Sequence, residues 1–408
     1  MLIGIDDTDS PQGMCTTYLG AVLARRLIRG HMQVRSALLI RLNPNVTYKT
    51  RGNAAIALDV DGDLRRAFDI ACATVEELAE FSCENTNPGV VAVESAPGPE
   101  FYRKAVTDFC TIDEAVSVLE SSGALYHGYK NRRGLIGATA AVACSLPDAT
   151  FEILTYRRKE RWGTPREVKR ESLFAAQQAT FSHTWDTVDE VNDVVVCVPH
   201  TPDPVLFGIR GESPSWVMAA RQMIDSEKPE LEQIWITNQG TDAHVLEGRI
   251  GSLREGLSYR VLGRVKDAPK TGPGGHVSFT MNDGKNGVRC MAYEPTKNFR
   301  QLVRTLVPGD EIVAVGSCKK GSINIEKIKI VSLSDAATAR PPLCTVCGKR
   351  MTSAGTGKGF KCRKCGAKAC EPEVRVIART IAPGWYEVPP TARRHLAKPL
   401  CRGAPDLT

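Results

Sequence analysis

Three carboxylates crowd one short turn near the start of the chain. Residues 2–20 read LIGIDDTDSPQGMCTTYLG, an apolar strand that runs straight into Asp6, Asp7 and Asp9 and then into a helix opening near Thr16. Like charges this close repel unless a cation or a proton neutralises them, so something binds at this turn. Mg²⁺ takes oxygen ligands and favours phosphate-bearing substrates, and a helix start presents unpaired N–H groups to anions. Together they suit a nucleoside triphosphate such as ATP. The blander alternatives are a turn rich in Asp and Ser for conformational reasons and, for Thr16, a simple helix cap, which local evidence favours.

A second basic element fits the first. Lys49 and Arg51 lie in YKTRGN between the strand-like SALLIRL and AAIALDV, where an Arg offers a planar fork of donors to phosphate. Neither G-x-x-x-x-G-K-[ST] nor a kinase glycine loop occurs, which excludes the two common nucleotide-binding designs. FGIRGES at 207–213 and WITNQGTDAH at 235–244 are strand-like segments ending in Gly with polar groups just beyond, a usual place for binding loops. Asp242 and His244 invite catalytic roles there and are equally suited to an exposed turn.

The most specific local pattern is CTVCGKRMTSAGTGKGFKCRKCG. Cys344 and Cys347 form one C-x-x-C, Cys362 and Cys365 another, at the spacing of a four-thiolate ribbon that holds one structural Zn²⁺ and leaves no open coordination position. Redox or unligated cysteines are the weaker alternative.

These residues need elements to position them. Strand 2–5, a helix at 16–30, two strands flanking YKTRGN and a helix across 63–83 give an α/β or α+β N-terminal region. The same mixture continues from 113 to 250, including a helix near 113–121, apolar GLIGATAAVACSL and helical SWVMAARQMI, with no boundary that the pattern alone fixes. From Leu257 three short strands, a helix and two more strands match a small barrel of the OB type. SDAATARPP links it to the cysteines. YKTRG and YKNRRG share too little to establish a repeat.

Length and charge bound the rest. With 408 residues the chain exceeds one hydrophobic core. No basic-then-apolar leader or bilayer-spanning run is present, so neither export nor insertion is expected, and fourteen cysteines then imply a reducing, cytoplasmic setting. Of the net charge of +7, residues 341–408 carry +9, from thirteen Lys and Arg against four acids, so the rest is about neutral. A basic module on a neutral body suggests a polyanion, most often nucleic acid, or else a solubilising tail.

GIDDTDSPQGMCTTYLG, YKTRGNAA, NTNPGV, IRGES and WITNQGTDAH, followed by the barrel and the four cysteines, resemble the archaeal tRNA-isoleucine 2-agmatinylcytidine synthetase (TiaS) family, in motifs and in their order up to about residue 371. The resemblance implies a multidomain α+β protein: a kinase-like α/β ATP-binding domain at 1–125, a ferredoxin-like agmatine-binding domain at 126–250, an OB-fold at 257–333, a zinc ribbon at 341–371 and a basic tail at 372–408. It implies an ATP-dependent ligase joining agmatine to the wobble cytidine of the CAU-anticodon tRNA-isoleucine, with ATP, Mg²⁺ and structural Zn²⁺. The family's autophosphorylated threonine falls on Thr16 and its acidic metal loop on Asp6, Asp7 and Asp9. On this reading Lys49, Arg51, Asn53 and Arg210 bind ATP, and Asp242 and His244 hold agmatine or assist. The ribbon, the tail and YRRKERW at 156–162 then contact the tRNA. The rivals are a non-enzymatic single-stranded nucleic-acid-binding protein and a small-molecule kinase.

Overall fold

The unbroken apolar run at the N-terminus reflects a strand with cover on both faces. In the computed structural model, which describes residues 1–49 and 52–405, Leu2–Asp6 lies inside a nine-stranded sheet. Ile3 and Ile5 join one core with Leu19, Leu23 and Leu27 of helix Thr16–Arg29 and Ala67, Ala71 and Val75 of helix Leu64–Leu78. The opposite face is covered by helix Gly134–Val142, so close that a Cβ on Gly4 would stand 2.4 Å from the Ala138 carbonyl oxygen. That approach explains why the helix reads GLIGATAAV: only small residues permit it.

The strand order is Leu125–Gly128, Gly89–Val93, Leu2–Asp6, Ala54–Asp61, Gln33–Arg41, Leu231–Thr237, Thr150–Tyr156, Val205–Gly211 and Thr184–Trp185. Neighbours are antiparallel except at one joint, where Leu231–Thr237 runs parallel to Gln33–Arg41 with Ile236 opposite Leu38. This joint fuses two α/β halves into one sheet, which is why no composition change marks a boundary between them. Strand Leu125–Gly128 and helix Gly134–Val142 pack on the first half.

The expected order of three strands, a helix and two strands from Leu257 is present as Ser258–Val265, Val277–Asn282, Gly287–Ala292, helix Phe299–Arg304, Glu311–Lys319 and Ser322–Ser332. The five strands close into a barrel, its last seam formed where Arg264 pairs with Asn282, around a core that includes Val261, Phe279, Ala314 and Ile328.

Two expectations need correction. SDAATARPP is no free linker: Ala336–Arg340 pairs antiparallel with Glu373–Ile377 and forms a two-stranded stalk for the cysteine module. Nor does the segment after the ribbon trail as a basic tail. Gly384–Glu387 adds a strand to Ser322–Ser332 of the barrel, and the chain then crosses back to the nine-stranded sheet. Among the described residues no helix is long and apolar enough to cross a membrane.

Candidate active site

The carboxyl end of Leu2–Asp6 opens into a cavity of about 550 Å³ that both halves of the sheet and the C-terminal segment line. Asp6, Asp7, Asp9 and Thr16 line it, as do Lys49, Asn53 and Arg210. Arg51 lies outside the described residues.

Local packing holds the acids in place. A Cβ on Gly137 would fall 1.9 Å from Asp6 Oδ2, so the glycine is what lets the carboxylate sit against helix Gly134–Val142. Asp7 has φ of +61°, a left-handed conformation that costs energy for a residue with a Cβ and is typical of functional turns. Its N–H donates to Asp6 Oδ1 at 2.7 Å. Burial, then the neighbouring Asp7 charge, pushes Asp6 well above the ordinary carboxylate range. Burial likewise raises Asp7 to about 6, although Arg133 opposes it. Arg133 approaches Asp7 Oδ2 at 3.0 Å through Nε and at 2.8 Å through Nη2. Carboxylates whose charged forms are this disfavoured offer oxygen ligands that a hard cation could use.

Thr16 corrects the cap reading. The N-cap is Cys15, which makes no side-chain cap bond, and Thr16 is the first helical residue. Its hydroxyl accepts from Thr8 Oγ1 at 3.1 Å and lies at the cavity wall, beside the unpaired N–H groups of the helix start.

A second cluster on the cavity wall gathers Arg41, Lys49 and Arg210 with Glu152 and His395. Arg210 reaches Glu152 Oε1 (3.3 Å), Asp186 Oδ2 (3.5 Å) and His395 Nδ1 (2.7 Å). Glu152, itself buried, accepts from Gln239 Nε2 at 2.6 Å and lies 3.9 Å from Arg41. Asn53, at φ +49°, donates to the Asn43 carbonyl at 2.8 Å. Partial burial, then Arg394 and Lys319, lowers Lys49 below the usual ammonium value. Burial and the charges of Arg41, Arg210 and Lys49 push His395 well below the usual imidazole value, so the ring is neutral at pH 7.

Asp242 and His244 are not brought to this cavity. Asp242 pairs with buried Lys327 of the barrel and accepts from the Lys398 N–H at 2.7 Å, so it ties barrel, sheet and C-terminal segment together. His244 is buried, 3.9 Å from Glu326, and has no hydrogen-bond partner among the described residues. The YRRKERW reading also changes. Arg157 is fully buried and grips Glu227 at 2.7 Å, Arg161 pairs with Glu167 and Glu227, and Trp162 packs edge-on against Tyr18. Only Arg158 and Lys159 of its basic residues stay exposed.

Sequence reasoning missed Arg133, Glu152, Arg41 and His395. Arg133 was visible inside YKNRRG; nothing local marks the others.

The four cysteines converge, their Sγ atoms all within 4.8 Å of one another. Each knuckle turns on a glycine in the left-handed region, Gly348 (φ +69°) and Gly366 (φ +76°). N–H groups of Cys365 and Lys364 hold Cys362 down to about 6, favouring the thiolate. Four sulfurs this close fit tetrahedral Zn²⁺. Around them Lys349, Lys358, Lys361, Arg363, Lys364 and Lys368 are exposed.

Known proteins resemble the chain throughout. Residues 2–65 match the TiaS TCKD domain, 132–244 the TiaS FLD domain and 341–381 the TiaS C-terminal zinc ribbon domain. A tRNA-isoleucine 2-agmatinylcytidine synthetase TiaS of Methanocorpusculum labreanum is 52% identical over 408 residues, covering 100% of this chain and 98% of the relative. One from Methanosarcina mazei is 49% identical, covering 98% and 97%. The crystal structure of a TiaS complex with its isoleucine tRNA and ATP superposes with a TM-score of 0.91 at 43% identity, covering 99% and 98%. That of a TiaS complex with the same tRNA, AMPCPP and agmatine superposes with 0.89 at 41%, covering 98% and 96%.

Proposed function

The chain belongs to the TiaS family of tRNA-isoleucine 2-agmatinylcytidine synthetases, and from that premise we propose how its cavity performs the family's reaction. The protein is an ATP-dependent ligase that joins agmatine to the wobble cytidine of the CAU-anticodon isoleucine tRNA. The observation that carries the reading is a single cavity whose wall brings Asp6, Asp7, Asp9 and Thr16 together with Lys49, Asn53 and Arg210. Non-enzymatic RNA binding leaves those acids unexplained.

The carbonyl oxygen at C2 of cytosine is a poor leaving group. A phosphoryl group moved onto it from ATP makes it a good one, and the primary amine of agmatine then takes its place at C2 as phosphate departs. Both steps in one closed chamber keep water from the activated base. A wobble base reaches such a chamber at low cost because a loop base is unstacked more easily than a paired one.

In our assignment Asp6, Asp7 and Asp9 hold Mg²⁺, which when bound neutralises phosphate charge. Thr16 and the helix start face the phosphates, and the hydroxyl of Thr16 is positioned to receive one, as the family resemblance implies. Lys49, Asn53 and Arg210, with Arg51, bind ATP. Asp242 and His244 serve the assembly of the domains rather than the substrate. Residues 1–125 correspond to the kinase-like part and 126–250 to the ferredoxin-like part. Residues 257–333 form the OB-fold, a name that the five-stranded closed barrel supports, and 341–371 the ribbon, whose four thiolates hold structural Zn²⁺.

Incubation with ATP, radiolabelled agmatine and bulk tRNA tests the function. Label should enter RNA only with ATP present; ATP cleavage without label transfer would leave a small-molecule kinase.

A further inference from the structure

The C-terminal segment carries more than charge. Its arginines are spent inside the molecule: Arg393 on Asp186 and Glu387, Arg394 on Glu326, and Arg402 on Glu212 and Asp148. Backbone bonds fasten the same stretch to the loop after Leu231–Thr237, with Gly240 N–H to the His395 carbonyl and Asp242 N–H to that of Leu396, each 2.8 Å. The residue so delivered is His395, a side chain of the cavity wall.

His395 sits where an acceptor is needed. Arg210 has two carboxylate neighbours, Glu152 and Asp186, and Asp186 is shared with Arg393. The third partner of its guanidinium is His395 Nδ1 at 2.7 Å. The ring edge carrying Nε2 and Cδ2 lies against Gly52, where a Cβ would come within 3.2 Å of either atom. A neutral acceptor here fixes the direction of the guanidinium without cancelling its charge, which a third carboxylate would do.

We propose that His395 is a positioning residue for the ligation, orienting Arg210 on the cavity wall, and that the C-terminal segment is thereby a structural part of the active site. The inference rests on the reading of this cavity as the site of ATP-dependent ligation.

The test uses full-length protein and the agmatine-transfer assay, with thermal unfolding checked for every variant. Asn carries its side-chain oxygen near the position of Nδ1 and has nothing at Nε2; Gln places its polar end further out. H395A and H395Q should lower kcat/KM by about 10- to 100-fold, the loss of one hydrogen bond to a charged group. H395N should recover to within about threefold of the wild type and keep its pH profile. R210A should be impaired, and R210A/H395A no worse than R210A alone. Wild-type activity in H395A with R210A impaired would overturn the positioning role while leaving the site reading intact. H395N as inactive as H395A, or with one limb of the pH profile gone, would also overturn it, because the ring would then act through its own proton. Full activity in R210A would overturn both the inference and the reading of this part of the cavity wall.

Discussion

Replacing Asp7 with Asn should make the ligand-free protein more stable while abolishing its use of ATP. Asp7 is 9% exposed, and burial raises its carboxyl from 3.8 to about 6. A carboxylate whose folded pKa lies above its unfolded value binds more protons when folded, so stability falls as pH rises from about 4 to 6 and stays lower beyond. At about 1.36 kcal/mol per pKa unit, ionised Asp7 costs the fold roughly 3 kcal/mol at pH 7. Asn removes that cost at nearly constant volume and keeps an oxygen for Arg133. At roughly 2 °C per kcal/mol for a body of this size, Tm should rise by about 5 °C at pH 7, with the gain about halved at pH 5, where the wild-type acid is mostly protonated. Thermal unfolding at both pH values, with calorimetric titration of Mg²⁺ and ATP, reads the two effects. A D7N protein equally or less stable at pH 7 that binds Mg²⁺-ATP normally would refute the argument, leaving the cluster as an ordinary turn.

The same protonation predicts that Mg²⁺-ATP affinity in the wild type rises with pH through about 6 and that binding at pH 6 releases protons, which titration in two buffers of different ionisation enthalpy detects. C344S with C362S should abolish one Zn²⁺ per chain in elemental analysis, unfold the ribbon and weaken tRNA binding, while ATP binding persists. K361A/R363A/K364A should reduce the salt slope of tRNA binding by up to about 2 to 3, since each exposed cation gives up one phosphate at most. R393M, by contrast, should leave that slope unchanged and instead free residues 384–402 to hydrogen exchange, because it takes the close cation from Asp186 and Glu387, leaving Asp186 only Arg210 at 3.5 Å, at a cost of up to about 3 kcal/mol.

The parts legible in the sequence are those whose geometry is local. Asp6, Asp7 and Asp9 share one turn, and each cysteine pair makes its own knuckle, so spacing alone brings out both the acidic cluster and the four-thiolate site. The barrel is legible because its strands are short and consecutive. Arg133 meets Asp7 across 126 residues and His395 meets Arg210 across 185, distances over which spacing carries no information. Formal charge misleads for a related reason. Arg393, Arg394 and Arg402 count toward a basic tail until their acids, supplied by the sheet and barrel, are seen beside them. Thr16 and Cys15 differ by one position, and which of them caps the helix depends on the extended backbone of Cys15, invisible in the letters.

The claim that one cavity performs this chemistry is tested most directly by diffraction from crystals grown with Mn²⁺ in place of Mg²⁺, a non-hydrolysable ATP analogue and agmatine. An anomalous Mn²⁺ peak is expected within coordination distance of the carboxylates of Asp6, Asp7 and Asp9, with the terminal phosphate facing Thr16 and agmatine in the same chamber. Mn²⁺ and nucleotide bound away from that acidic turn would contradict it.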